Sequence, residues 1–215
     1  MNPTCLPEPS LGIPPLKGVR ALNPPAMRTV DSSNTYTYSV DKNDTVLGVS
    51  ENWQRFAEQN AGGARCMPRN IIGSSLWSHI SEWETRQLYE MILHGVRERQ
   101  RRATFPFRCD SPDLRRFLIL AVAPMPEQSI HFESQIVRTE SRPPVELLKA
   151  DIKRSEQFLR ICSMCKRIAL SANDWVEVEV AVQQLELFQR SVMPQFTHGI
   201  CQDCFKAAMV ELDKP

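Results

Sequence analysis

The spacing of hydrophobic positions changes several times along the chain, and each change marks an element. "YTYSVDKNDTVLGVS" (36–50) predicts two short strands around a turn at Asp41–Asp44, where Asn43 and Asp44 suit turn backbone angles. In "SENWQRFAEQN" Ser50 is the expected N-cap and Trp53, Phe56 and Ala57 share one helical face, with Gly62–Gly63 as the stop. "IIGSSLWSHI" reads as a turn into a short helical piece. Residues 82–100 predict a longer helix with Trp83, Leu88, Met91, Ile92 and Val96 as its apolar stripe. Three strand-like runs follow, "TFPFRC", "RRFLILAV" and "SIHFESQIV", the first two separated by a turn at Asp110–Asp113. In the third, Ile130, Phe132 and Ile136 take one face, and His131, Glu133 and Gln135 the other. This order predicts an α+β fold: an antiparallel sheet with helices on one face.

The flanks have a different texture. Residues 1–33 are broken by seven prolines and carry few large apolar residues, so a disordered Pro-rich arm is expected. After "SRPP" (141–144), Leu148, Ile152, Ser155 and Leu159 have heptad-like spacing, which predicts a linker helix over 143–160. Residues 161–215 form a Cys-rich module. The expected division is therefore 1–33, 34–142, 143–160 and 161–215.

That module carries the strongest chemical signal. Cys162-x-x-Cys165 and Cys201-x-x-Cys204 each turn two sulfurs toward one point, and four thiolates suit the tetrahedral preference of zinc with no position left for substrate. His198 is the alternative ligand, or a hydrogen-bond partner of a ligating sulfur. Between the pairs, "NDWVEVEVAVQQLELFQRS" predicts a helix with Trp175, Val178, Val182, Leu185 and Phe188 on one face. The second pair opens a further helix, whose positive end favours thiolate. The pattern is that of a small treble-clef-like zinc module. A thioredoxin-like pair would need βαβ context, which is absent; zinc thiolates that also sense oxidants are a further alternative.

Composition narrows the function classes. The 215 residues are 42% hydrophobic and 24% charged with net charge +1, so no global field attracts nucleic acid or an anionic membrane. No apolar run has the length of a membrane span, and the N-terminus lacks a secretory pattern, so a cytoplasmic location is expected. There, clustered cysteines are metal ligands more often than disulfides. The most basic stretch holds Arg97, Arg99, Arg101, Arg102, Arg108, Arg115 and Arg116, which reads more simply as a solvated face than as a phosphate site. With no Gly-rich phosphate loop and no nucleophile elbow, a non-catalytic protein is expected.

The pieces "YTYSVDKNDTVLGVSENWQRFAEQN", "IIGSSLW" with Gly73 in its turn, "RQLYEMIL", "FPFRCDSPDLRRFLILAVAPM" and "SIHFESQIV", in that order, resemble a PAS domain. The tail resembles a Cys-rich tail of bacterial PAS-containing signalling proteins at Cys162, Cys165, Trp175, His198, Gly199, Cys201 and Cys204. Met164 stands where tryptophan is more usual. The resemblance implies a sensory and dimerisation module over 34–142. Its interior would be lined by Trp53, Phe56, Trp77, Phe107, Phe117 and Phe132, as a candidate ligand pocket or, more simply, a packed core. No PAS cofactor is assigned: Cys66 lies outside a flavin-type motif, and neither His79 nor His94 stands in a haem-ligating pattern. The resemblance also implies a homodimer, with Leu148, Ile152 and Leu159 of the linker helix in the interface. The functional expectation is a cytoplasmic signalling protein, a PAS-like sensor coupled to a structural zinc module that docks a partner protein. The alternatives are a zinc-dependent transcriptional regulator contacting nucleic acid and a thiol-based redox sensor.

Overall fold

A computed structural model describes residues 34–59 and 66–215. The expected arm over 1–33 and the Gly62–Gly63 stop lie outside these. Strands β1 (Thr35–Val40) and β2 (Val46–Val49) form the first hairpin. Its turn is held by Asp41, whose Oδ1 accepts the N–H groups of Asn43 and Thr45, both at 2.8 Å. Asp44 takes the left-handed φ of 62° that such a turn requires. Ser50 does not serve as the expected cap, because its Oγ accepts the Thr37 N–H. Helix α1 begins later, at Trp53–Gln59. The short α2 (Pro68–Ile71) leads to Gly73, at φ 83°, whose N–H reaches the Val46 carbonyl.

Strands β3 (Ala103–Asp110), β4 (Leu114–Pro124) and β5 (Ile130–Ser141) complete an antiparallel sheet of order β2-β1-β5-β4-β3. Its inner face presents Tyr38, Phe105, Phe107, Leu120 and Phe132, all buried, to helix α3 (Trp83–Arg99). The buried face of α3 is Leu88, Tyr89, Ile92, Leu93 and Val96. Trp83 and Met91, expected in that stripe, are exposed. At about 100° per residue, Trp83 falls on the opposite side of the helix from Ile92.

The linker helix expected over 143–160 does not exist. One 3₁₀ turn at Glu146–Leu148 is followed by an extended Lys149 and then by strand β6 (Arg154–Cys162). Leu148, Ile152 and Leu159 pack against a second core of Leu147, Ile161, Ile168, Val178, Ala181 and Leu187. These three half-buried side chains lie on a 3₁₀ turn, a loop and a strand, so the helical seam expected for a homodimer is not formed. Strand β6 runs antiparallel to β7 (Ile168–Ala169) and parallel to β9 (Met193–Gly199); β8 (Trp175–Val176) completes the order β8-β7-β6-β9. The single helix expected between the cysteine pairs is divided into β8, α4 (Val178–Gln184) and a 3₁₀ turn at Leu187–Gln189. Glu186, at φ 51°, interrupts it and leaves Phe188 exposed. Helix α5 (Gln202–Asp213) closes the described chain, as its sequence pattern suggests.

The two sheets share hydrophobic cover. Cys162, Met164, Cys165, Cys201, Cys204, Ala208 and Leu212 belong to the same buried cluster as the interior of the five-stranded sheet. The open edge of β3 is closed by the C-terminal module. The Thr104 N–H donates to Glu211 Oε1 at 2.9 Å, Pro106 has no N–H to satisfy, and the Arg108 N–H donates to the Met164 carbonyl at 3.1 Å. Three successive outward backbone positions along this edge are thus either paired or silent.

Candidate metal centre

Strand β6 delivers Cys162 at its last residue, and the chain then reverses through a tight knuckle. Within it the Cys162 N–H bonds the Arg167 carbonyl at 2.8 Å and the Lys166 N–H bonds the Cys162 carbonyl at 3.0 Å. Lys166 takes φ 54° to make the turn. The parallel partner β9 ends beside it, which places Cys201 at the N-cap of α5 and Cys204 in the first turn.

The four sulfurs lie within 4.8 Å of one another, and each residue is at most 1% exposed. Cys162–Cys204 and Cys165–Cys201 are each separated by 3.7 Å, and Cys201–Cys204 by 3.2 Å. A tetrahedron with metal–sulfur bonds of about 2.3 Å has edges of about 3.8 Å, so the first two separations fit and the third is compressed. The Cys201 N–H points at Cys162 Sγ at 3.4 Å, the kind of contact that stabilises a ligating thiolate. Contacts from Cys162, Cys201 and Cys204 drive the Cys165 thiol far below its ordinary value, while burial pushes Cys162 well up. Arg167, raised despite burial by Cys165 and its neighbours, supplies the adjacent positive charge. Four buried thiols at these distances can hold a metal ion such as zinc. His198 lies on β9, opposite Ile161, and is not among the ligand atoms that gather there.

Two residues of α3 grip this centre, and neither is signalled by the sequence. Thr85 Oγ1 lies 2.7 Å from Ser163 Oγ, inside the first cysteine pair. Glu84 Oε2 accepts the Ile200 N–H at 3.0 Å, immediately before Cys201, while its other oxygen pairs with Arg160. Gly199 leaves room for this pair: a Cβ there would stand 2.9 Å from Glu84 Oε2 and press on the Arg160 guanidinium, so the two side chains would have to shift.

A second polar cluster ties the module to the β3–β4 hairpin. Arg108 bridges Asp110 (2.5 Å) and Glu177 (2.7 Å), and Arg142 reaches Asp110 (3.3 Å) and Glu179 (3.1 Å). Arg115 also pairs with Glu179, at 2.7 Å. Burial opposes the Arg108 charge, but Asp110 and Glu177 outweigh it and hold the group protonated. Of the basic stretch, Arg97, Arg99, Arg101, Arg102, Arg108 and Arg115 each face a carboxylate of this chain. Arg116 bonds the Cys109 carbonyl.

The six aromatic residues expected to line one interior do not converge. Trp53, Phe107 and Phe132 are buried, and the Trp53 Nε1–H bonds the Cys66 carbonyl at 2.9 Å. Phe56 is half-buried against Tyr36, with ring centroids 4.2 Å apart. Trp77 sits at the margin and donates to Asp44 Oδ2. Phe117 lies between guanidinium groups, that of Arg138 3.9 Å from its ring centroid and that of Arg108 at 5.8 Å. Where the helices meet the sheet, the space is filled by Tyr38, stacked on Phe132 at 4.2 Å, and by Tyr89 and Leu120. His79 is bonded to Ser74 through Nε2 at 2.6 Å, and burial lowers its pKa; His94 is exposed.

No protein-family profile matches the chain, and no curated protein matches it. Among solved structures, a domain of an HTR-like protein from Haloarcula marismortui ATCC 43049 overlaps 49% of this chain and 99% of its own. The identity is 15% and the TM-score 0.36, too loose an overlap to carry weight for fold or function. Among the described residues, no helix is long and apolar enough to cross a membrane.

Proposed function

We propose that this chain is a non-catalytic signalling protein, in which a PAS-like sensory domain is coupled to a treble-clef-like structural zinc module that docks a partner protein. The carrying observation is the double grip of Glu84 and Thr85 on the two cysteine knuckles. It makes the state of α3, the main helix over the five-stranded sheet, depend on the metal centre. The element order and the placement of helices over the inner sheet face support the PAS-like reading. The knuckle at the β6–β7 turn and the second ligand pair at the α5 N-terminus support the treble-clef-like one.

Zinc would be held by Cys162, Cys165, Cys201 and Cys204, and its role there is to cross-link β6 to α5. A closed four-thiolate set supplies folding free energy rather than chemistry. Burial of all four sulfurs favours this over the redox-sensor reading, because sensing thiols need access to oxidant. The ion pairs that neutralise most of the basic stretch favour a protein partner over nucleic acid.

The test is hydrogen exchange on the full chain before and after metal removal. Faster exchange in the first turns of α3 and along β3 is expected. Unchanged exchange there, with loss of protection only in 161–215, would overturn the coupling.

A further inference from the structure

Between the 3₁₀ turn at Glu146–Leu148 and α4 lies a groove of about 610 Å³, within the range of about 300–1,000 Å³ typical of small-molecule sites. It is remote from the helix–sheet interior, and none of the four cysteines lines it. Buried Leu147 and Met193 line its depth, half-buried Ile152 and Val182 its sides, and Phe188, 66% exposed, its mouth. An aromatic ring left in water beside an apolar groove is a surface that gains from being covered.

The charges around the groove are unequal. Of the two carboxylates that line it, Glu146 pairs with Lys149 at 2.5 Å and Glu179 with Arg115 and Arg142. Lys153 and Arg190 also line it and meet no carboxylate among the described residues; Arg190 donates to the neutral amide oxygen of Gln157 at 2.7 Å. The groove therefore combines an apolar body with two uncompensated cations.

We propose that this groove binds an apolar monocarboxylate. Its hydrocarbon part lies along Leu147, Val182 and Phe188, and its carboxylate meets Lys153 and Arg190. This assigns the module a ligand site of its own, independent of the metal ligands and of any PAS-type pocket.

Calorimetric titration of the full-length, metal-loaded chain tests it, with decanoate and decyltrimethylammonium as probes below their micellar concentrations. Decanoate should bind at least tenfold more tightly than the cation of equal chain length. Lys153→Ala with Arg190→Ala should weaken decanoate about tenfold, within the range for two solvent-accessible charges, and leave the cationic probe unchanged or improved. Val182→Trp should close the groove and abolish binding. Phe188→Asp, at an exposed position that the fold does not need, should do the same where Val182→Trp fails to fold. Absence of decanoate binding, equal affinity for the two probes, or decanoate binding indifferent to Phe188→Asp would each overturn the proposal.

Discussion

Thr85 Oγ1 and Ser163 Oγ stand 2.7 Å apart, and both residues are 0% exposed. They join α3 to the first cysteine knuckle across an interface closed to bulk solvent. Removing one hydroxyl leaves the other buried and unpaired, which costs about 2 kcal/mol, whereas removing both costs much less than the sum. Thr85→Val and Ser163→Ala should therefore each destabilise the chain, the double variant should recover a large part of the combined loss, and Thr85→Ser, which keeps the hydroxyl and loses one buried methyl, should cost only about 1 kcal/mol. Denaturant titration of the four variants is the check. Strictly additive losses would mean the contact does not couple the two elements.

The shared hydrophobic cluster and the closed β3 edge bear on whether residues 34–142 stand alone. A chain ending at 142 would bare the apolar contacts made by Met164, Ala208 and Leu212. It would also return the edge N–H groups of Thr104 and Arg108 to solvent. Such a fragment should melt with weak cooperativity and well below the full chain. A sharp calorimetric transition at the full-chain temperature would show instead that the five-stranded sheet is self-sufficient.

Glu211 links acidity to that edge. Burial alone would raise its carboxyl, but Lys214, the Thr104 N–H and Arg101 outweigh burial and hold it below the ordinary value of 4.5. A carboxyl whose folded pKa is depressed contributes stability that is complete above the ordinary value and is lost as pH falls through the folded one. Stability should therefore drop below about pH 4.5, with α5 loosening from β3. Glu211→Gln should be less stable than the parent at pH 7 and should lose less between pH 5 and 3. Parallel pH profiles for the two proteins would remove Glu211 from this role.

The local patterns carried much of the fold. The first hairpin, α3, the other three strands of the five-stranded sheet and α5 all announce themselves by period, and the paired CxxC spacing announces the four cysteines that gather. Strand β6 was hidden because Leu148, Ile152 and Leu159 imitate a heptad pattern over barely two heptads. Its parallel partner β9 is distant in sequence, and Pro194 near the start of β9 weakens the strand signal there. The grip on the centre was invisible for a similar reason. Glu84 is 116 residues from Ile200, and Thr85 is 78 from Ser163, so no local pattern relates them. The Arg108–Asp110–Glu177 cluster likewise reads in sequence as ordinary surface charge, and only the docking of α4 beside the hairpin buries it.

If the four cysteines hold one metal ion, that ion should organise the module. X-ray absorption at the zinc edge, combined with elemental analysis of the full chain purified without chelator, tests it most directly. One zinc per chain with four sulfur neighbours at about 2.3 Å is expected. A cooperatively folded chain that contains no metal, or a zinc shell in which nitrogen replaces a sulfur, would contradict it.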